Sequence, residues 1–137
     1  MKPSLILMLL IAALLTSCNL DPGYTMYTDL VIPIEERSVP ETGVVNQPVN
    51  IYVIAAAYNG CWSNIHFYLT QKDDRQYEIW AAADFESTGQ CPDVIISADT
   101  ILTFTPARTG DHVISFRMTP EISERDTVVI GTAPGSR

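Results

Sequence analysis

The sequence predicts an all-β domain, a single sandwich of two packed antiparallel sheets with about seven strands, behind a hydrophobic N-terminal run. Three observations predict it. From Leu30 onward apolar and polar residues alternate with period two, in segments broken by turn residues, as half-buried strands require. Helical periodicity is absent beyond the N-terminal run, apart from the ambiguous stretches Ile54 to Ala57 and Ala81 to Ala83, whose small side chains suit tight packing between sheets. Two cysteines, Cys61 and Cys91, stand 30 positions apart, a spacing that lets a disulfide tie a small exported domain.

The strands follow in order. Leu30 to Ile34, with Val39 to Val45 as a continuation, opens the domain, and Pro33, Pro40 and Pro48 fit edge positions where a missing N–H costs little. Val49, Ile51, Val53, Ala55 and Ala57 then face one way, with Asn50, Tyr52, Ile54 and Tyr58 on the other side. In Asn64 to Gln71 the core side carries Ile65, Phe67 and Leu69, before Lys72-Asp73-Asp74-Arg75 makes a charged turn. Tyr77, Ile79, Ala81, Ala83 and Phe85 form the inward row of the next strand. Gly89 to Asp93 is a loop, and Val94 to Thr105 is strand material. Gly110 to Met118 points Ile114, Phe116 and Met118 inward, and Asp126 to Ile130 closes the domain.

Ahead of this pattern, Lys2 precedes the apolar run Leu5 to Leu15, which is too short to cross a bilayer. It ends in Leu15-Thr16-Ser17-Cys18, which resembles the lipobox of bacterial lipoproteins. The resemblance implies a diacylglyceryl group on the Cys18 thiol, cleavage before it, and residue 18 as the first of the mature chain. It also implies a lipid-anchored place in the cell envelope. Asn19, in the position where Asp typically retains such proteins at the inner membrane, points to the outer membrane. An ordinary signal peptide with an incidental cysteine, or a short membrane anchor, is the competing reading. The chain thus divides into a signal peptide (1–17), a lipidated N-terminus and flexible tether (18–29), the sandwich (30–131) and a tail (132–137). Tyr24 and Tyr27 in the tether have either the membrane interface or the domain to rest on.

The three cysteines sort accordingly. One is claimed by the lipobox, and Cys61 with Cys91 remains for a disulfide, which in the chain-entropy picture stabilises by roughly 3.5 kcal/mol. A reduced pair or a metal site is the alternative, but His66 and His112 are the only histidines and no CxxC or HxxxH spacing occurs.

The chain carries 8 Lys+Arg against 16 Asp+Glu, a net charge of −8. Loss of residues 1–17 removes Lys2 and no acid, leaving −9. Such a surface repels polyanions, so nucleic acid is excluded as a partner. No G-x-S-x-G elbow, phosphate loop or dinucleotide fingerprint occurs, and no cofactor is implied. Asp84 and Glu86 share one strand face without any sign of a cleft between them. Calcium held by the loop acids Asp73, Asp74, Asp93, Asp99 or Asp111 is a remote reading. The expectation is therefore no catalytic residue, no metal ligand and no enzyme.

Thr103-Phe104-Thr105-Pro106 through Gly110-Asp111-His112-Val113-Ile114-Ser115-Phe116 resembles the strand corner of bacterial immunoglobulin-like domains. The resemblance implies an immunoglobulin-like sandwich. His112 stands where those domains carry a corner tyrosine, which implies a structural role for its imidazole. The cysteines depart from the antibody arrangement and fit a bridge between two loops at one end.

Four aromatic residues are candidate contacts for a partner or ligand: Trp62, Trp80, Tyr52 and Tyr68. Trp62 follows Cys61 and either offers a rigid contact or packs on the disulfide. Trp80, Tyr52 and Tyr68 fall on the outward side of their strands. If Tyr52, Ile54 and Trp80 share one face they make an exposed apolar patch; a parity error of one residue makes them core. His66 faces outward and His112 does not, which rules out a joint site. The expected role is a lipid-anchored, non-enzymatic envelope module that binds a protein partner or serves in assembly. A glycan- or small-ligand-binding lipoprotein is the alternative, and an enzyme with an unrecognised site the remote one.

Overall fold

The computed structural model describes residues 23–133 and residue 135. The lipobox, Cys18 and the proposed signal peptide lie outside the described residues. Among the described residues nine strands form two sheets: β1 (Thr25–Ile32), β2 (Ile34–Ser38), β3 (Thr42–Val44), β4 (Val49–Ala57), β5 (Trp62–Asp73), β6 (Gln76–Ser87), β7 (Ile96–Phe104), β8 (Gly110–Arg117) and β9 (Ser123–Gly131). The larger sheet is built on β6, which pairs with β5 on one side. On its other side β6 pairs with β8 at Gln76–Ile79 and with β1 at Ala81–Ser87, and β9 and β3 continue beyond β8. The smaller sheet has the order β2-β4-β7. Pairings are antiparallel except β3 with β9 and β6 with β8, which run parallel.

The all-β sandwich expected from alternation is the fold observed. It has nine strands because the opening segment splits in three. β1 lies in the large sheet, β2 in the small sheet and β3 in the large sheet again. Pro33 and Pro40 stand at the two crossings and Pro48 directly before β4, so all three lie between strands and not within edge strands. A residue without an N–H interrupts a ladder most cheaply where the chain leaves it.

A second correction concerns the tether. β1 begins at Thr25, inside the segment read as flexible, because Thr25, Met26 and Tyr27 pair with Ser87, Glu86 and Phe85. This stretch is mostly exposed, so hydrogen bonding to β6 holds it without the core-facing alternation that marks other strands.

The inward residues fill the space between sheets. Ile32, Ile34, Ile51, Val53, Ile79, Ile114, Phe116, Val128 and Ile130 are all buried, each contributing roughly 1.5–3 kcal/mol where burial is complete. Ala55, Ala57, Ala81 and Ala83 are buried with them. Cys61, in the β4–β5 turn, is joined to Cys91, in the β6–β7 loop, so the bridge ties two loops at one end. β1 starts at this same end, and the β5–β6 turn and β7–β8 loop lie at the other. Along one edge Arg37 of β2 reaches to β9, bonding Asp126 (2.6 Å) and Glu124 (2.8 Å) while its guanidinium lies 4.8 Å from the centre of the Phe116 ring.

Candidate functional site

The outer face of the large sheet carries the densest set of polar and aromatic contacts, and two bulges organise it. β1 gains a residue between Tyr27 and Leu30, and β5 gains one between Ser63 and His66. Both lie against the same stretch of β6, from Ala82 to Phe85, on its two sides. Asp29 and Asn64 have positive φ (59° and 55°), a left-handed conformation that Asn and Asp tolerate best among residues with a Cβ. The Asp84 carboxylate holds both. Its Oδ1 accepts the Asp29 backbone N–H (3.1 Å), and its Oδ2 accepts Asn64 Nδ2 (2.9 Å). Those bonds hold its pKa below the usual carboxylate value, the Asn64 bond more strongly.

Lifted by its bulge, the Asp29 carboxylate reaches across β6 to β5. Its Oδ1 meets His66 Nε2 at 2.8 Å and accepts the Tyr68 hydroxyl at 3.0 Å. Ala82 lies on the outward side of β6 yet is fully buried, beneath this crossing. His66 Nδ1 lies 2.7 Å from the Asn64 carbonyl, so both ring nitrogens face acceptors and only imidazolium donates to both. The His66 pKa is accordingly raised, by the Asn64 carbonyl first and Asp29 second, and that of Asp29 is lowered, by His66 and then Tyr68.

The next rung joins three strands. Tyr68 on β5 stacks on Trp80 of β6, with ring centres 4.8 Å apart and planes 23° apart. Arg117 on β8 places its guanidinium 5.0 Å from the Trp80 ring centre. β5 and β8 flank β6 on opposite sides, so the indole is covered from both. One step along, Glu78 bonds Arg117 (2.7 Å) and Lys72 (2.8 Å). Burial pushes the Glu78 pKa up, but the Lys72 and Arg117 contacts outweigh it and the net shift is downward. An open groove of ≈ 230 Å³ beside it is lined by Lys72, Glu78, Ser115 and Arg125.

The four aromatic candidates separate. Trp80 and Tyr68 meet on this face. Tyr52 stands on the outer face of the small sheet, opposite the exposed Ile101. Tyr52 and Ile54 therefore share no face with Trp80, and the single patch they were to form does not exist, because the two sheets point their outward rows in opposite directions. Trp62 is half-buried, packs against the core, and meets Phe85 edge-on at 5.1 Å. Asp84 and Glu86 both point outward but are engaged separately, Glu86 with the Tyr24 hydroxyl (3.2 Å).

His66 and His112 do face opposite ways. His112 is completely buried, with Nδ1 3.0 Å from the Gly110 carbonyl and its ring beside the Tyr77–Phe104 pair, 6.2 Å from one ring centre and 6.3 Å from the other. Its Nε2 has no hydrogen-bond partner among the described residues. Of the loop acids, Asp74 is engaged by Arg108 at 2.8 Å. Among the described residues no group of three or more His, Cys, Asp or Glu could hold a metal ion.

Asp29, Asn64, Glu78 and Arg117 were not singled out from sequence. A signal existed for the two bulges: Trp62, Ile65, Phe67 and Leu69 are spaced three, two and two apart, and Tyr27, Leu30 and Ile32 three and two. Compared with protein families, curated proteins and solved structures, the chain matches none.

Proposed function

We propose that this protein is a lipid-anchored, non-enzymatic component of the bacterial envelope, held through Cys18, at the outer membrane, and that its sandwich binds another envelope protein. The observation that carries the binding reading is the rung Tyr68–Trp80–Arg117. A Trp fixed between a Tyr and an Arg, with Glu78 fixing the Arg, is a rigid surface of the residue types that dominate protein interfaces. Its order is already set before a partner arrives, which lowers the cost of association. A sugar stacking on Trp80 needs a free indole face, and both are covered, so protein is favoured over glycan. The His66–Asp29 pair is exposed on a sheet face and not enclosed in a cleft, which supports the non-enzymatic reading.

Acylated protein used to capture solubilised envelope proteins is expected to retain one discrete partner. Trp80→Ala and Arg117→Ala, each checked for folding by circular dichroism, are expected to lose it. Equal capture by both variants would contradict this face as the site. The anchor has its own test: mass spectrometry of native protein is expected to find acyl groups on an N-terminal Cys18, and an unmodified thiol there would remove it.

A further inference from the structure

We propose that the disulfide-tied end of the sandwich lies against the bilayer surface, with Tyr24, Tyr27, Tyr58, Val94 and Ile95 at the lipid interface. This rests on the Cys18 anchor proposed above and adds which part of the domain touches the membrane.

Three chain segments build that end. β1 starts there, with Thr25 opposite Ser87; β4 ends there, with Ala57 opposite Ile96; and Trp62 of β5 faces Phe85. The β4–β5 turn and the β6–β7 loop are joined by the Cys61–Cys91 bridge and by Gly60 N–H donating to the Pro92 carbonyl (2.8 Å). The two loops press so closely that a Cβ on Gly60 would meet Val94 at 2.9 Å and Pro92 at 3.0 Å. On this stapled platform Tyr24 is 60%, Tyr58 59% and Ile95 64% exposed, with Tyr27 and Val94 also open. The hydroxyls of Tyr24 and Tyr58 donate to Glu86 and Glu35, leaving the rings outward. Amphipathic rings of this kind favour the boundary between headgroups and acyl chains.

Chain length selects the lipid surface as the occupant. Gly23 is five residues from Cys18, so a fully extended connection reaches at most about 17 Å. β6 alone, with 12 residues, runs about 40 Å along the domain. A tether under half that length keeps the end where β1 starts beside the bilayer and the far end away from it. The contact also supplies a second membrane attachment beyond the acyl chains.

Charge selects the kind of lipid. Residues 23–36, 55–65 and 82–98, which form this end, contain no Lys or Arg, whereas Lys72, Arg75 and Arg108 sit at the opposite end. With Glu35, Glu86 and Asp93 present, the end fits an uncharged headgroup surface and is repelled by an anionic one.

The test couples the Cys18 thiol to a maleimide phospholipid in phosphatidylcholine vesicles containing brominated acyl chains. The coupling installs an anchor whether or not cells acylate Cys18, so failure of docking and failure of natural acylation are read apart. Trp80→Phe leaves Trp62 as the only tryptophan, and Trp62→Phe leaves Trp80, five residues or about 17 Å farther along β6 than Phe85, the partner of Trp62. Bromine is expected to quench Trp62 several-fold more than Trp80, and Tyr24→Ser, Tyr58→Ser and Ile95→Ser combined are expected to abolish the difference while vesicle attachment persists. Equal quenching of the two tryptophans, or none at Trp62, would overturn the proposal. Phosphatidylglycerol added to the vesicles is expected to weaken the Trp62 signal, and a stronger signal would also overturn it.

Discussion

The two outer faces of the sandwich are written in the same alternating code and end up physically different. On the large sheet, outward residues from β1, β5, β6 and β8 bond to one another across three strand boundaries, through Asp84, Asp29, Glu78 and Trp80. On the small sheet the outward contacts are sparser: Thr103 Oγ1 donates to Asn50 at 2.8 Å, the Tyr52 hydroxyl lies by Asp99 and Glu36, and Ile101 is open to solvent. The difference follows where the bulges lie. An extra residue on each side of the inner strand β6 re-aims two polar side chains over the large sheet, whereas the small sheet has its shift on the edge strand β2, between Ile34 and Glu36, and the pairing of β4 with β7 runs without one from Val49 to Ala57.

Several measurements break or sharpen that contrast. The largest effect belongs to the layer both faces share. Phe116→Ala removes a fully buried ring and the surface under Arg37, and is expected to cost about 3–5 kcal/mol in denaturant unfolding, whichever face is being compared. Next, Asp84→Ala frees both bulges at once. It is expected to lower the melting temperature by ~4–8 °C, the shift for loss of about one net hydrogen bond in a small domain, with Asn50→Ala clearly milder. Equal losses would mean that the two faces are held alike. Smaller again is the coupling of Trp80 with Arg117, expected at about 0.5–1 kcal/mol in a double-mutant cycle, against no resolvable coupling between Tyr52 and Ile101.

The smallest effect is a pH dependence. The His66 pKa is raised on folding, so its stabilisation is complete below its unfolded value near 6.5 and is lost as pH rises through the folded value. Asp29 is lowered, so its share is present above its ordinary value of 3.8 and is lost as pH falls through the folded value. The crossing over Ala82 is therefore firmest between these limits. His66→Gln is expected to flatten the alkaline side of the stability profile, and an unchanged profile would show that the pair contributes nothing.

The sandwich was legible because its core rows obey period two almost without exception, from Val49 to Ala57 and again from Tyr77 to Ala83. The disulfide was legible because Cys61 and Cys91 stand 30 positions apart within the strand pattern, while the third cysteine, Cys18, stands ahead of it. The candidate site was legible only in part. Parity places Trp80 and Tyr68 outward, but parity says nothing about which sheet a strand joins, so it leaves open whether Tyr52 shares their face. Asp29 was hidden because it sits in exposed strand with no core-facing alternation, and its role depends on β1 pairing with β6 more than fifty residues away. Arg117 was hidden for a similar reason: only the parallel pairing of β8 with β6 brings it to Trp80.

The central claim, that the large-sheet face meets the partner and the small-sheet face does not, is tested most directly by site-specific photocrosslinking in the envelope. A photoreactive residue replacing Arg125, beside Ser115 on the large sheet, is expected to yield one discrete protein adduct, while the same residue replacing Ile101 yields none. Adducts from Ile101 and silence from Arg125 would contradict the account.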